Sequence, residues 1–252
     1  MSKPKKGSHI IGGIHAANSA LKHNSEKVIN VWLDLGRKDN RINELEVLAH
    51  DRNVQVTRAQ KKQLDDLLGD VRHQGVVVEV KAPTAKTEKE LLQLLEELDE
   101  PVLLLILDGV TDPHNLGACL RSADAAGVHA VISPKDKSVG LTPVVCKVAS
   151  GAAETVTYVQ VTNLVRLMEK IQKDYGVWIT GTAGEAEMTL YQSDLKGNTA
   201  IVMGSEGKGM RRLTRETCDT LISLPMQGSV ESLNVSVATG ICLFEAVRQR
   251  NL

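Results

Sequence analysis

The chain has 252 residues, and its 42% apolar and 24% charged content is that of an ordinary folded protein with one large domain or two smaller ones. No apolar run approaches the roughly 18 residues of a membrane span, and the basic start at residues 1–7 leads into no apolar signal core. We therefore expect neither a membrane protein nor a secreted one. The formal net charge of −1 argues against a uniformly basic nucleic-acid binder.

The charge is unevenly distributed along the chain. Residues 1–82 carry 14 Lys and Arg against 10 Asp and Glu, a balance of +4, which leaves 16 against 21, or −5, for the remainder. A modestly basic front half is typical of an RNA-docking module attached to another domain. We interpret residues 1–8 as a disordered basic arm and residues 9–81 as a small α/β domain that binds RNA.

Within residues 9–81, helical and strand patterns alternate. Apolar residues at helical spacing predict three helices, and short runs rich in Val and Ile predict three strands. The helices are expected at 13–23, 41–52 and 63–68, and the strands at 28–33, 54–56 and 75–80.

A linker and a connecting helix are predicted for residues 82–100. The stretch 82–86 contains Pro83 and lacks apolar periodicity, which is typical of a linker. Thr87 is the expected N-cap of the helix, with Glu90 in the capping-box position and Pro101 as the stop.

The chain changes character in residues 101–252. The continuous apolar run Val102–Leu107 is typical of a strand that is covered on both faces. Helical patterns separate most of the later strands, which predicts a mostly parallel sheet flanked by helices and closed by a long helix at 232–250. The further strands are expected at 129–133, 156–161, 177–182, 199–203 and 221–225.

The first polar motif, Asn115 to Ala123, follows the strand that ends at Leu107. Ligand sites in parallel sheets lie beyond the carboxyl ends of the strands, which is where this motif falls. Asn115 is expected to open a helix, and an Asn there is often only a cap. Arg121 stands in the second turn of that helix among apolar neighbours, and its planar fork suits a phosphate or a carboxylate.

The second motif, Met203 to Arg211, follows another predicted strand and contains three glycines. Its G-x-x-G-x-G spacing differs from the dinucleotide-binding fingerprint, and it lacks the Gly-Lys-Ser/Thr ending of a nucleotide P-loop. The glycines are compatible with a simple turn. Glu206, between two of them, is placed to present a carboxylate to a cleft.

The third motif, Ser232 to Ala238, stands at the start of the closing helix. It carries Ser232, Asn234 and Ser236. Helix capping explains one of these three polar residues, but it does not explain all of them.

These three segments, in this order, resemble the signature motifs of the SpoU (TrmH-like) family of RNA ribose 2′-O-methyltransferases. The resemblance implies a C-terminal trefoil (SPOUT) knot, a bound S-adenosylmethionine, and a homodimer in which Arg121 acts across the subunit interface. It also implies two sets of site residues. The cofactor-contact positions are Gly204, Leu224 and Leu233, and the polar active-site set is Asn115, Arg121, Glu206, Ser232 and Asn234.

The front module also resembles the substrate-binding domain of this family, because His73-Gln74-Gly75 matches the typical end of that domain. The arrangement is close to that of the family members that methylate a guanosine ribose in the peptidyl-transferase P-loop of 23S rRNA. A tRNA guanosine 2′-O-methyltransferase is the second interpretation, although such enzymes typically lack a separate front module. A non-catalytic RNA-binding protein is the third interpretation. A nicotinamide-dependent oxidoreductase is excluded, because the sequence lacks the dinucleotide-binding glycine fingerprint.

The reaction that the resemblance implies needs no metal, and the sequence offers no metal-ligand cluster. A ribose hydroxyl attacks poorly until its proton is withdrawn, and guanidinium is a poor proton acceptor. Our hypothesis is that Arg121 holds the substrate phosphate and stabilises the developing alkoxide. A phosphate oxygen or Glu206 then takes the proton.

Two further expectations concern the surroundings of the protein. Four widely spaced cysteines without a C-x-x-C pair indicate buried thiols in a reducing, cytoplasmic location. With only six aromatic residues, base-stacking platforms are not expected, so RNA contacts are assigned to cations that bind phosphate. The candidates are Arg58, Lys61 and Lys62, although such a cluster is usually a solvated face.

Overall fold

The computed structural model of the protein describes residues 7–69 and 73–251. Contacts divide the chain into two compact units, Met1–Pro83 and Thr84–Leu252. Most of the basic arm predicted for residues 1–8 lies outside the described residues, and Ser8 already belongs to the first strand. No helix in the described part of the chain is both long and apolar enough to cross a membrane.

The first unit is a four-stranded sheet with helices on both faces, in the strand order β1-β4-β2-β3. Strands β2 and β3 are parallel, whereas β4 runs antiparallel to β1 and to β2. The described elements are β1 (Ser8–Gly12), α1 (Ile14–His23), β2 (Val28–Asp34), α2 (Asn40–Asp51), β3 (Val56–Ala59), α3 (Lys61–Leu68) and β4 (Val76–Lys81).

The side chains of β2 alternate between the two faces of this sheet, as the two-residue period of a strand requires. Val31 and Leu33 join the cluster with α1 and α2, whereas Trp32 joins Leu64 of α3 on the other face. Two predictions were wrong in detail. The strand expected at 54–56 lies at Val56–Ala59, where polar side chains hide the alternation, and the five-residue strand β1 was missed.

The second unit is a six-stranded, fully parallel sheet in the order β10-β8-β9-β5-β6-β7. This confirms the predicted α/β class, and the trefoil knot stays a prediction. The described elements are α4 (Glu88–Glu97), β5 (Leu103–Asp108), α5 (Pro113–Ala125), β6 (Ala130–Pro134), α6 (Pro143–Ala149), α7 (Ala152–Thr155), β7 (Thr157–Val161), α8 (Leu164–Tyr175), β8 (Trp178–Thr182), β9 (Thr199–Gly204), α9 (Arg212–Thr217), β10 (Thr220–Ile222) and α10 (Val235–Arg250).

Strand β5 lies at the centre of this sheet and is covered on both sides. Leu103, Leu105 and Leu107 pack with α5 and α10, whereas Leu104 and Ile106 pack with α4 and α8. Both faces are therefore apolar, which explains the uninterrupted run of Leu and Ile in the sequence. The predicted strand and its two-sided burial are confirmed.

The helix starts differ from the predictions at two motifs. Helix α5 begins at Pro113 with Asp112 as its N-cap, so Asn115 is not the cap, and Arg121 lies a turn further along than predicted. Helix α10 begins at Val235 with Asn234 as its N-cap, so Ser232 precedes the helix. In contrast, the capping box of Thr87 and Glu90 on α4 is confirmed.

The C-terminal end of α10 is tied to the loops at the amino end of the sheet. The Arg250 guanidinium donates to the carbonyl oxygens of Leu195 (3.0 Å), Pro101 (2.8 Å), Val102 (2.8 Å) and Gly197 (2.7 Å). One side chain therefore contacts four backbone acceptors at this end of the sheet, and one of them, the Val102 carbonyl, also accepts from the backbone N–H of Thr199.

Replacing Arg250 with alanine is expected to lower the free energy of unfolding by about 3 kcal/mol, because four charged hydrogen bonds are lost together and the carbonyl of the buried Leu195 loses its Arg250 donor. Urea denaturation measures this change. Arg212→Ala is the matched control, since Arg212 is 74% exposed and pairs with the exposed Glu216. A loss no larger than that of the control would contradict the expectation.

Candidate functional site

A cavity of about 460 Å³ opens at the carboxyl edge of β8, β9 and β10. Loops that follow three neighbouring parallel strands meet there, as expected for a ligand site in such a sheet. Six of the eight predicted site residues line this cavity: Gly204, Glu206, Leu224, Ser232, Leu233 and Asn234.

The glycine turn, residues 204–210, forms one wall of the cavity. Ser205 and Gly209 exchange two backbone hydrogen bonds of 3.0 and 2.9 Å, which folds the turn back on itself. A Cβ atom on Gly204 would lie 2.3 Å from the carbonyl carbon of Gly209 and 2.4 Å from the amide nitrogen of Met210. Gly204 is therefore required because the backbone returns too close to it for any side chain.

The Asn234 side chain connects all three motifs. Its Oδ1 accepts from the backbone N–H of Ser236 at 2.9 Å, which caps α10. Its Nδ2 donates to Asn115 Oδ1 at 2.9 Å and to Glu206 Oε1 at 2.6 Å. Helix capping fixes the orientation of the amide, so both of its N–H donors are available to the other two motifs.

This network determines how the polar side chains at the cavity wall are hydrogen-bonded. Asn115 is 7% exposed, so its carbonyl needs the partner that Asn234 supplies. Glu206 lies on an exposed turn and uses one carboxylate oxygen toward Asn234. The Asn234 amide holds one oxygen of this carboxylate in place, and Glu206 lines the cavity. The arrangement can accept a proton from a ligand in the cavity.

Two predicted site residues, Asn115 and Arg121, do not line this cavity. Asn115 is joined to the cavity wall through Asn234, whereas Arg121 is not. The Arg121 side chain is exposed on α5, and among residues 7–69 and 73–251 it has no hydrogen-bond or ion-pair partner. The same helix packs against α10 through Cys119 and Thr239, whose Sγ and Oγ1 atoms lie 3.5 Å apart. Arg121 is therefore an unpaired cation beside the closing helix.

Sequence reasoning missed the loop after β8, although Thr182, Ala183 and Gly184 line the cavity. The signal that could have found them is their position, because the strand predicted at 177–182 ends at the same edge of a parallel sheet. Met226, in the loop after β10, was also missed and adds an apolar side chain to the lining.

Two side chains of the first unit that were candidates for function have structural partners. Arg58 pairs with Glu46 through two hydrogen bonds and also donates to the carbonyl of Asp34. His73 is 5% exposed and contacts Asp65 at 2.9 Å. These partners favour the structural interpretation of both residues. Lys61 and Lys62 are exposed.

The four cysteines are unpaired, and none is activated as a nucleophile. Burial raises the pKa of Cys119 to about 11 and that of Cys146, Cys218 and Cys242 to about 12. A raised pKa favours the neutral thiol, so the reactive thiolate is scarce at neutral pH.

Native protein is therefore expected to resist iodoacetamide at pH 8. With a pKa of about 11, only about one thiol in a thousand is ionised three pH units lower. Mass spectrometry is expected to find the cysteines unmodified in native protein and all four modified after denaturation in urea. Rapid modification of any cysteine in folded protein would contradict this result.

Two family profiles together match most of the chain. The SpoU rRNA Methylase family matches residues 102–244, and the RNA 2′-O ribose methyltransferase substrate binding family matches residues 10–86. The chain is 61% identical over 247 residues to the 23S rRNA (guanosine-2′-O-)-methyltransferase RlmB of Shewanella oneidensis, covering 97% of this chain and 99% of that protein. It is 55% identical to the protein of the same name from Escherichia coli, covering 97% and 100%.

Solved structures agree with these matches. The SpoU methyltransferase AviRb from Streptomyces viridochromogenes, in complex with the cofactor AdoMet, aligns with a TM-score of 0.77 at 25% identity, covering 97% of this chain and 91% of that chain. The A. aeolicus TrmH/SpoU tRNA modifying enzyme aligns with a TM-score of 0.55 at 34% identity, covering 65% and 84%. From its motifs, its fold and these matches, the chain belongs to the SpoU rRNA methylase family.

Proposed function

We propose that this protein transfers a methyl group from S-adenosylmethionine to the 2′-hydroxyl of a guanosine ribose in the peptidyl-transferase P-loop of 23S rRNA. The observation that carries the proposal is the Asn234 network, which joins Asn115 and Glu206 at the wall of one cavity. The near full-length similarity to two proteins named as 23S rRNA guanosine methyltransferases supports the choice of substrate. The unpaired cysteines suit the reducing cytoplasm.

The cavity suits S-adenosylmethionine in size and in chemistry. Its volume of about 460 Å³ falls within the usual range for small-molecule sites, roughly 300–1,000 Å³. Leu224 and Leu233 supply apolar walls, and Gly204 leaves room where a Cβ would collide with the turn. In the proposed complex these three residues hold the cofactor, which supplies an electrophilic methyl group.

The polar residues of the chain act on the ribose hydroxyl. Glu206 offers its open carboxylate oxygen as the proton acceptor, with Asn234 holding the other oxygen in place. A phosphate oxygen of the RNA is the second candidate for this role. A guanidinium is a poor proton acceptor, so we assign Arg121 to the substrate phosphate and to the developing negative charge.

We infer that the protein works as a homodimer, because one chain leaves Arg121 outside the cavity. Helix α10 exposes two large apolar side chains on one face, Val237 (52%) and Phe244 (51%), with the half-buried Ile241 between them. This spacing of four and three residues forms a stripe along the helix. A second copy of the chain that covers the stripe also approaches α5, which carries Arg121.

Phe244→Asp is expected to convert the dimer into a monomer, because it replaces the largest side chain of the apolar stripe with a charge. Size-exclusion chromatography with light scattering measures the molecular mass. Leu213→Asp is the matched control, since Leu213 is 53% exposed on α9, away from this stripe. A wild-type protein that runs as a monomer would refute the dimer proposal, and so would a Phe244→Asp variant that stays dimeric.

The function is tested by incubating the protein with radiolabelled S-adenosylmethionine and unmodified 23S rRNA or unmodified bulk tRNA, followed by mapping of 2′-O-methyl groups. Label at one guanosine of the peptidyl-transferase region is the expected result. Label in tRNA alone would keep the chemistry but refute the substrate. Label in neither RNA would favour a non-catalytic RNA-binding protein.

A further inference from the structure

Asp108, the last residue of β5, is a buried carboxylate outside the predicted site. Its side chain is fully buried, and one oxygen, Oδ1, has no hydrogen-bond partner among the residues that the structure describes. The other, Oδ2, accepts from the backbone N–H of Arg211 at 2.8 Å. The Arg211 guanidinium supplies the neighbouring positive charge, with its Nη1 3.5 Å from Asp108 Oδ1.

Asp108 holds the glycine turn at both of its ends. At the start of the turn, Asp108 pairs in register with Gly204 between the parallel strands β5 and β9. At the exit, its carboxylate binds Arg211, the residue directly after the turn. The six residues between Gly204 and Arg211 include Glu206. The Asp108 residue therefore fixes both ends of the segment that carries Glu206.

Arg211 extends this connection to a third strand. Its Nη2 donates to the carbonyl oxygen of Asp136, in the loop after β6, at 3.0 Å. A Cβ on Gly109 would lie 3.6 Å from Ser205 Cβ and 4.0 Å from Arg211 Nη2, so the ends of β5 and β9 are in close contact here. Neither Asp108 nor Arg211 lines the cavity, so any effect on the reaction acts through the turn.

We propose that Asp108 and Arg211 form a positioning pair that holds the glycine turn in the conformation that accepts S-adenosylmethionine and aims Glu206. This inference rests on the proposed function and adds two residues to it. The pair differs from an ordinary surface ion pair in its burial, because the Asp108 charge has no access to water and depends on Arg211.

Asp108→Asn is the decisive variant because it keeps the shape and the acceptor for the Arg211 N–H while removing the charge. The Arg211 side chain is 42% exposed, so water can solvate its charge and the fold is kept. We expect the dissociation constant of S-adenosylmethionine to rise about tenfold and the single-turnover rate at saturating cofactor to fall about tenfold. The thermal midpoint without cofactor is expected to stay near that of wild type.

Substitutions of Arg211 test the other half of the pair. Arg211→Gln leaves the buried carboxylate without a cation and is expected to lower the thermal midpoint, which the double variant D108N/R211Q restores. Arg211→Lys keeps the charge but loses the planar fork, so its affinity is expected between those of wild type and Arg211→Gln. Arg212→Gln, next in sequence and exposed, is the control.

Isothermal titration with S-adenosylmethionine and single-turnover methylation of 23S rRNA distinguish the outcomes. Weaker binding and a slower saturating rate in Asp108→Asn, with an unchanged thermal midpoint, support the positioning pair. If Asp108→Asn binds and reacts like Arg212→Gln, the inference is wrong although the proposed function stands. Wild-type protein that neither binds the cofactor nor methylates RNA would overturn both.

Discussion

Arg121→Ala is expected to lower the single-turnover rate of methyl transfer by about 100- to 1,000-fold, the usual loss when one preorganised donor to a developing charge is removed. The fold and the affinity for S-adenosylmethionine are expected to stay unchanged, because Arg121 is exposed, does not line the cavity and has no partner in the described residues. Rapid-quench kinetics at saturating cofactor measure the rate. Arg166→Ala, at a 64% exposed position on α8, is the control.

Arg121→Lys tests whether the geometry of the guanidinium matters. Lysine keeps a point charge but loses the fork that binds phosphate through two donors, so a rate well below that of wild type is expected. An Arg121→Lys variant with a near-wild-type single-turnover rate would refute the role that we assign to this residue.

Mixing two inactive variants tests whether Arg121 acts across the subunit interface. In a mixed dimer of Arg121→Ala with Glu206→Gln, one site has both wild-type residues if the arginine comes from the partner. Random mixing is then expected to restore about a quarter of the wild-type activity. If Arg121 acts within its own chain, every site lacks one residue and the mixture stays inactive.

The edge of the sheet that carries the cavity could be predicted from the sequence, because Glu206 follows the buried apolar strand β9 and parallel strands bring such segments to one edge. Gly204 and Leu224 were implied as cofactor contacts by the resemblance to the SpoU family, and both line the cavity. The third motif has three polar residues, Ser232, Asn234 and Ser236, whereas one is enough to cap a helix. This surplus indicates that the motif has a role besides capping. Asn234 performs both roles, because one amide caps α10 and contacts the other two motifs.

Pairings between distant residues could not be predicted from one sequence. Asn115 and Asn234 are separated by 119 positions, and neither shows in its local pattern that it bonds the other. In the sequence, Asp108 is a polar residue at the end of an apolar strand, as many exposed residues are. Its burial and its contacts with Arg211 appear only in the folded chain. The position of Arg121 could not be predicted for another reason. The site on which we propose that it acts belongs to a second copy of the chain.

Two element boundaries differ from the predictions, each for its own physical reason. Asparagine is a good N-cap, which favours a helix start at Asn115, but Asp112 followed by Pro113 is a better start, since proline suits the first helical position. Strand β3 was placed too early because Thr57 and Arg58 interrupt its apolar pattern. Both polar side chains have hydrogen-bond partners in the first unit, since Thr57 contacts Asn30 and Arg58 donates to Glu46.

Gly204→Ala is expected to weaken binding of S-adenosylmethionine by about 10- to 100-fold, since overpacking of this kind costs about 1–3 kcal/mol. The new methyl group would meet the Gly209 carbonyl carbon at 2.3 Å and the Met210 amide nitrogen at 2.4 Å. Both are backbone atoms, so the whole turn must move, and Glu206 moves with it. Isothermal titration measures the affinity.

The matched control is Gly197→Ala, because no atom of the described residues lies within 4 Å of a Cβ at that position and Gly197 does not line the cavity. Its affinity is expected to equal that of wild type. Gly204→Ala is also expected to slow methyl transfer at saturating cofactor, since the displaced turn pulls Glu206 from its 2.6 Å contact with Asn234. If Gly204→Ala binds S-adenosylmethionine as tightly as Gly197→Ala does, the glycine turn is not part of the cofactor site, and the assignment of the cavity fails with it.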